Sequence, residues 1–232
     1  MSDVAAAYDE QMLPDPLPGE PFGLVKRWFD EAHEKQVQPN PNAMTVATID
    51  PDGKPSARVV LCKDLRPEEG CIVFYTNYEG RKGRALRANP WASAVFHWDP
   101  FDRQVRIEGP VLRSPPEESD AYFATRAWQS RLGAWSSDQS EPIESREALI
   151  AKVAEAAEKL GIDLQRIVDG DMDGVEIPRP PHWGGFRIYA ERVELWCGGT
   201  GRVHDRAEWT RALTRSGDSY TGGAWSMTRL QP

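Results

Sequence analysis

The chain has 232 residues, 40% of them hydrophobic and 28% charged, and a formal net charge of -8 at pH 7. That is an ordinary soluble composition, enough for one large domain or two small ones, and it excludes fibrous and low-complexity classes. Residues 1–20 carry five acids (Asp3, Asp9, Glu10, Asp15, Glu20) and no Lys or Arg; residues 161–177 carry five acids (Asp163, Asp169, Asp171, Asp173, Glu176) against Arg166. The rest of the chain is therefore close to neutral, which suits a small anionic ligand better than a nucleic acid.

In chain order, residues 1–20 read as a flexible acidic arm, with no basic and apolar leader pattern. Residues 21–232 read as a single domain. Phe22, Val25, Trp28, Phe29 and Ala32 recur at helical spacing. "AMTVATID" and "PSARVVLCK" flank Pro51-Asp52-Gly53-Lys54 and predict a hairpin. "CIVFYTN" predicts a strand, "GRKGRALRANP" a short helix stopped at Pro90, and "WASAVFHW" with "RQVRIEGPVLR" a second hairpin. Residues 115–135 and 145–160 are predicted helical, the latter ending at Gly161. Strands return in "HWGGFRIYA", "ERVELWCG" and "AWSMTRLQP". Strands in adjacent hairpins, with helices between them, predict a mainly β fold: an antiparallel barrel with peripheral helices.

No segment approaches the roughly 18 apolar residues of a membrane helix. Cys62, Cys71 and Cys197 are odd in number and lack paired spacing, so no disulfide and no metal site is expected, and a reducing cytoplasm is. "DGDMDG" (Asp169–Gly174) opens like a calcium loop, but its twelfth position is Pro180 rather than Glu, and it is set aside. The acidic segment 161–177 reads as an insertion.

Three clusters suggest anion chemistry. In "SARVVLCK" strand alternation sends Arg58, Val60 and Cys62 one way and Val59, Leu61 and Lys63 the other, unless the strand end re-aims one of them; they could equally be solvated edge charges. In "YTNYEGRKGRAL" Arg81 and Lys82 open a helix, where cations oppose the dipole unless an anion compensates. Tyr122, Arg126 and Ser130 are spaced by four and would line one helical face.

These clusters, with "RQV", "SRLGAW", "QS", "WGGFR", "ELW", "RVHDR" and the closing "RLQP", run in register from about Ala43 to Pro232. The chain resembles the pyridoxine/pyridoxamine 5'-phosphate oxidase family. The resemblance implies an FMN-binding split β-barrel, a homodimer with FMN at the subunit interface, and cytoplasmic oxidation of a phosphorylated pyridine by O2 with release of H2O2. It implies FMN contacts at Arg58, Val59, Val60, Leu61, Cys62, Lys63, Tyr75, Thr76, Arg81, Lys82, Gln104, Gln139, Ser140, Trp196 and Arg206. It implies substrate contacts at Lys63, Tyr122, Arg126 and Ser130 for the phosphate. Arg202 and His204 would be the catalytic pair at the pyridine end. Departures are Cys62 for a leucine, Gly80 for a serine, Thr125 and Ala127 beside Arg126, and alanines before Tyr8, where the family often has an arginine closing over substrate. A relative acting on a phenazine precursor, or a flavin- or haem-binding split barrel without turnover, is the alternative.

Overall fold

The computed structural model describes residues 12–232; Tyr8 and the rest of residues 1–11 lie outside the described residues. Ten antiparallel strands form one curled sheet, a half-barrel, and two more form a separate hairpin. Helix α1 (Phe22–Glu34) lays Phe22, Leu24, Val25 and Trp28 into its hollow. Met44, Val46, Phe96, Trp98, Val105, Ile107, Val193, Leu195 and Trp209 point into the same core. Each such side chain contributes roughly 1.5–3 kcal/mol by leaving water.

Strands β1 (Ala43–Ile49) and β2 (Pro55–Leu61) pair with Val46 opposite Arg58. Their turn closes through Gly53, whose φ of 82° needs a residue without a Cβ. β3 (Asp64–Arg66) pairs with β4 (Cys71–Asn77), and β4 pairs with β7 (Trp183–Tyr189). β4 is buried almost throughout, as its continuous apolar run requires. Helix α2 (Arg81–Ala88) follows directly. β5 (Trp91–Trp98) and β6 (Arg103–Arg113) form the second hairpin. β6 joins the two halves of the sheet: its first part pairs with β8 (Arg192–Cys197) and its last three residues with β7. At Gly109 a Cβ would overlap the Tyr189 carbonyl oxygen, so the crossing needs glycine. β9 (Asp205–Thr210) and β12 (Ser226–Leu230) complete the sheet, and β10 (Leu213–Ser216) pairs only with β11 (Ser219–Gly222).

The structure departs from the sequence reading, or adds to it, in several places. Residues 115–135 form two helices, α3 (Pro116–Ala124) and α4 (Trp128–Ser136). The Thr125 hydroxyl donates to the Tyr122 carbonyl at 2.8 Å, and Ala127 is extended, so the helix stops and restarts. Residues 12–20 of the acidic arm are docked: Leu13 is buried and its N–H donates to Asp205, while the Trp209 indole N–H donates to the Pro18 carbonyl. Beyond α5 (Arg146–Lys159), the acidic segment holds a short helix, α6 (Leu164–Asp169). The Arg166 guanidinium donates to the carbonyls of Asp171 and Asp173, so an internal cation occupies the loop set aside as a calcium site. β9 and the β10–β11 hairpin were not predicted. Helices α3–α6 pack a second core around Phe123, Leu132, Ala157, Ile162 and Trp183.

Candidate functional site

Between the β2 edge, the end of β4, the start of α2 and the α3–α4 break lies a cavity of about 500 Å³. Arg58, Lys63, Lys82 and Arg126 line it, and among the described residues its lining holds no carboxylate. The cations are held by neutral groups. Arg58 donates to the Val46 carbonyl (3.1 Å), Thr48 Oγ1 (2.8 Å) and Ser56 Oγ (2.6 Å). Lys82 donates to Thr76 Oγ1 (2.9 Å) and Gln139 Oε1 (2.6 Å). Gly80 leaves room for that amide, since a Cβ there would come within 2.8 Å of Gln139 Oε1. Burial, and then the charge of Arg58, pull the Lys82 ammonium from 10.5 down to about 8. Burial also lowers the pKa of Arg58 and of Arg126.

The opposite wall is aromatic. Tyr75 stacks on Tyr122 at 4.0 Å and on Trp183 at 5.5 Å. Burial pushes the Tyr75 phenol up to about 12, so it stays neutral. Arg126 lies in the α3–α4 break with its guanidinium over Trp183 at 4.5 Å, and its buried Nη1 has no hydrogen-bond partner among the described residues. Ser130 and Tyr122 converge on the same cavity despite the break. Lys63 does so because β2 ends at Leu61 and the Lys63 N–H turns to bond the Val73 carbonyl (2.8 Å).

Other anticipated residues lie elsewhere. Cys62 is buried, its Sγ donating to the Asp64 carbonyl at 3.2 Å, and burial pushes its thiol up to about 12. Arg81 and Ser140 are not among the lining residues: the Arg81 Nε donates to Asp50 at 2.7 Å and its N–H to Ser140 Oγ at 3.2 Å. Asp50 thus compensates the cation at the α2 start, and Arg81 in turn holds the Asp50 carboxyl below the usual carboxylate range.

Gln104, Trp196 and Arg206 are direct cross-strand partners on β6, β8 and β9, on the sheet face turned away from the core. Arg206 is fixed by the buried carboxylate of Glu194, which Arg106 also contacts. His204 packs on Trp196 at 4.7 Å, and its Nδ1 accepts the Gly199 N–H at 3.1 Å, leaving Nε2 to carry the proton of the neutral ring. Arg202 stands in the turn before β9 with φ 65° and makes no ion pair with a described residue. Strands are about 4.8 Å apart, so along the sheet this row starts roughly 14 Å from β2 and reaches roughly 24 Å at Arg206. Within one chain it does not line the cavity. Sequence reasoning missed Trp183 and Asp50. Trp183 reads there only as a strand residue within the "WGGFR" marker, and Asp50 only as the last residue of a strand run.

Residues 29–160 match the family model described as pyridoxamine 5'-phosphate oxidase. The chain belongs to the pyridoxamine 5'-phosphate oxidase family. Residues 183–232 match the model of the pyridoxine 5'-phosphate oxidase C-terminal dimerisation region. The chain is 49% identical over 214 residues to a pyridoxine/pyridoxamine 5'-phosphate oxidase of Gloeothece citriformis, covering 91% of this chain and 88% of that one. It is 46% identical over 218 residues to one of Rubrobacter xylanophilus, covering 94% and 88%. Among solved structures, PhzG of Burkholderia lata in complex with tetrahydrophenazine-1-carboxylic acid superposes with a TM-score of 0.76 at 30% identity, covering 97% of this chain and all of that one. The half-barrel is the split barrel of this family, whose cofactor is FMN. The cavity fits such a group: among the described residues its lining holds no carboxylate, and Arg58 and Lys82 are held there by neutral groups.

Proposed function

We propose that this chain oxidises pyridoxine 5'-phosphate and pyridoxamine 5'-phosphate with O2 to pyridoxal 5'-phosphate and H2O2, the amine by way of an imine that water hydrolyses with release of ammonia, as a cytoplasmic homodimer carrying FMN between subunits. The observation that carries this reading is one cavity lined, among the described residues, by four cations and no carboxylate. An anion bound there takes up charge that burial otherwise disfavours.

Bound FMN supplies the acceptor for a hydride from C4' of the substrate and returns the electrons to dioxygen. Arg58, Lys82, Thr76 and Gln139 hold the flavin phosphate, with Arg81 and Ser140 next to them at the start of α2. Lys63, Tyr122, Arg126 and Ser130 hold the substrate phosphate, which orients C4' and lowers the entropic cost of reaction by several kcal/mol. Gln104, Trp196, Arg206, Arg202 and His204 come from the partner subunit. The same sheet face exposes Ile49, Val59 and Trp91, an apolar surface that a second copy would cover. Arg202 stabilises charge near the reacting carbon, and His204 offers its Nε2 proton to the pyridine end.

The test is the visible spectrum of the purified protein, followed by pyridoxine 5'-phosphate under air. The expected result is a yellow dimer that forms pyridoxal 5'-phosphate and peroxide; a yellow protein forming neither refutes the oxidase reading. The likeness to PhzG favours a second reading, oxidation of a reduced phenazine carboxylate. Turnover of that compound in preference to the phosphorylated pyridine would select it.

A further inference from the structure

Two cavity cations lie over rings, Lys63 over Tyr122 at 6.0 Å and, more closely, the Arg126 guanidinium. Its buried Nη1 has no hydrogen-bond partner among the described residues, and its neighbours are the faces of Trp183, at 4.5 Å, and Phe123, at 5.3 Å. The residue sits in the short break between α3 and α4, where regular helix does not fix its direction. Trp183, in contrast, is fixed. It is the first residue of β7, paired with Asn77, and its carbonyl accepts from Arg179 at 2.7 Å. Its ring lies nearly parallel to Tyr75 and Tyr122, at 12° and 7°, and meets Phe123 edge-on at 5.0 Å.

We propose that Trp183 is a positioning residue: its indole face aims the Arg126 guanidinium into the cavity and thereby sets the preference for a phosphorylated over an unphosphorylated substrate. A carboxylate in that place would orient Arg126 equally well but would neutralise it. An aromatic face holds a cation through the ring quadrupole and leaves its formal charge and its N–H donors for the ligand. The inference rests on the reading of Arg126 as a contact of the substrate phosphate.

The experiment compares kcat/KM for pyridoxine 5'-phosphate with kcat/KM for pyridoxine, in wild type and in Trp183→Leu, Trp183→Phe, Arg126→Met and Arg126→Met/Trp183→Leu. Loss of the cation–π contact is expected to lower the ratio about 10-fold in Trp183→Leu and about 3-fold in Trp183→Phe, whose ring keeps a weaker quadrupole. In the Arg126→Met background, Trp183→Leu is expected to leave the ratio where Arg126→Met alone put it. A merely structural tryptophan would lower both substrates together and would act equally in both backgrounds. Should Trp183→Leu not fold, Trp183→Phe in the two backgrounds carries the same comparison. A wild-type preference for the phosphate that survives at Trp183→Leu, or that falls by the same factor without Arg126, overturns the inference. A wild type with no phosphate preference overturns the proposed substrate, and this inference with it.

Discussion

Lys82 gives the sharpest test of the anion cavity. Its ammonium is drawn from 10.5 to about 8, chiefly by burial and secondly by Arg58. That difference amounts to about 3 kcal/mol against the charged form in the empty cavity. A phosphate beside Lys82 restores the proton. Below pH 8 the side chain is charged with and without ligand, so affinity for FMN should be flat. Above pH 8 binding must take up a proton, and the Kd should weaken toward tenfold per pH unit, by about 30-fold between pH 7 and 9.5. The ligand-free protein should behave in the opposite sense. Between pH 8 and 10.5 the unfolded chain keeps a proton that the fold has released, so this group makes stability rise with pH by up to about 3 kcal/mol. The assay is flavin fluorescence titration of the apoprotein, with proton uptake measured by calorimetry in two buffers. Riboflavin, which lacks the phosphate, should show no such slope. Lys82→Met should abolish the slope and weaken FMN about 10- to 100-fold, the loss of one charge-assisted hydrogen bond. A flat FMN profile, or an equal slope with riboflavin, refutes the reasoning.

Three further outcomes are expected. Arg202→Ala should cut turnover about 100-fold or more while the flavin spectrum and the Tm stay near wild type, since Arg202 pairs with no described residue; normal turnover would contradict its catalytic role. Glu194→Gln removes the buried charge shared by Arg106 and Arg206 and should destabilise by about 3 kcal/mol in urea unfolding; a change below 1 kcal/mol would mean that those arginines need no counter-charge. Gly109→Ala forces a Cβ onto the Tyr189 carbonyl and should cost at least about 2 kcal/mol, seen as a lowered urea midpoint.

Much of the fold follows from local chemistry. The β1–β2 hairpin is legible because its turn residues and the alternation on both flanks agree, and α5 because Ser145 caps its start and Gly161 follows its end with φ 67°. β9 escapes because Asp205 takes an inward position that alternation reserves for an apolar side chain; its partners, Leu13 and Arg229, lie far away in sequence. The docking of residues 12–20 escapes for the same reason. The α3–α4 break turns on one hydroxyl competing with the helix ladder at Thr125, which no periodicity signals. In the site, the spacing of Tyr122, Arg126 and Ser130 points toward one cavity even though the single helix it implied does not exist. Trp183 stays hidden because its significance is a ring orientation set by three other aromatics.

The distance between the cavity and the Gln104–Trp196–Arg206 row has a genetic consequence. If, as proposed, each active centre is assembled from the cavity of one chain and the row of the other, two inactive proteins need not stay inactive when mixed. A hybrid of Arg126→Ala with Arg202→Ala would gather both lesions into one centre and leave the other wholly wild type. Two such alleles in one cell would rescue each other, whereas two cavity alleles would not.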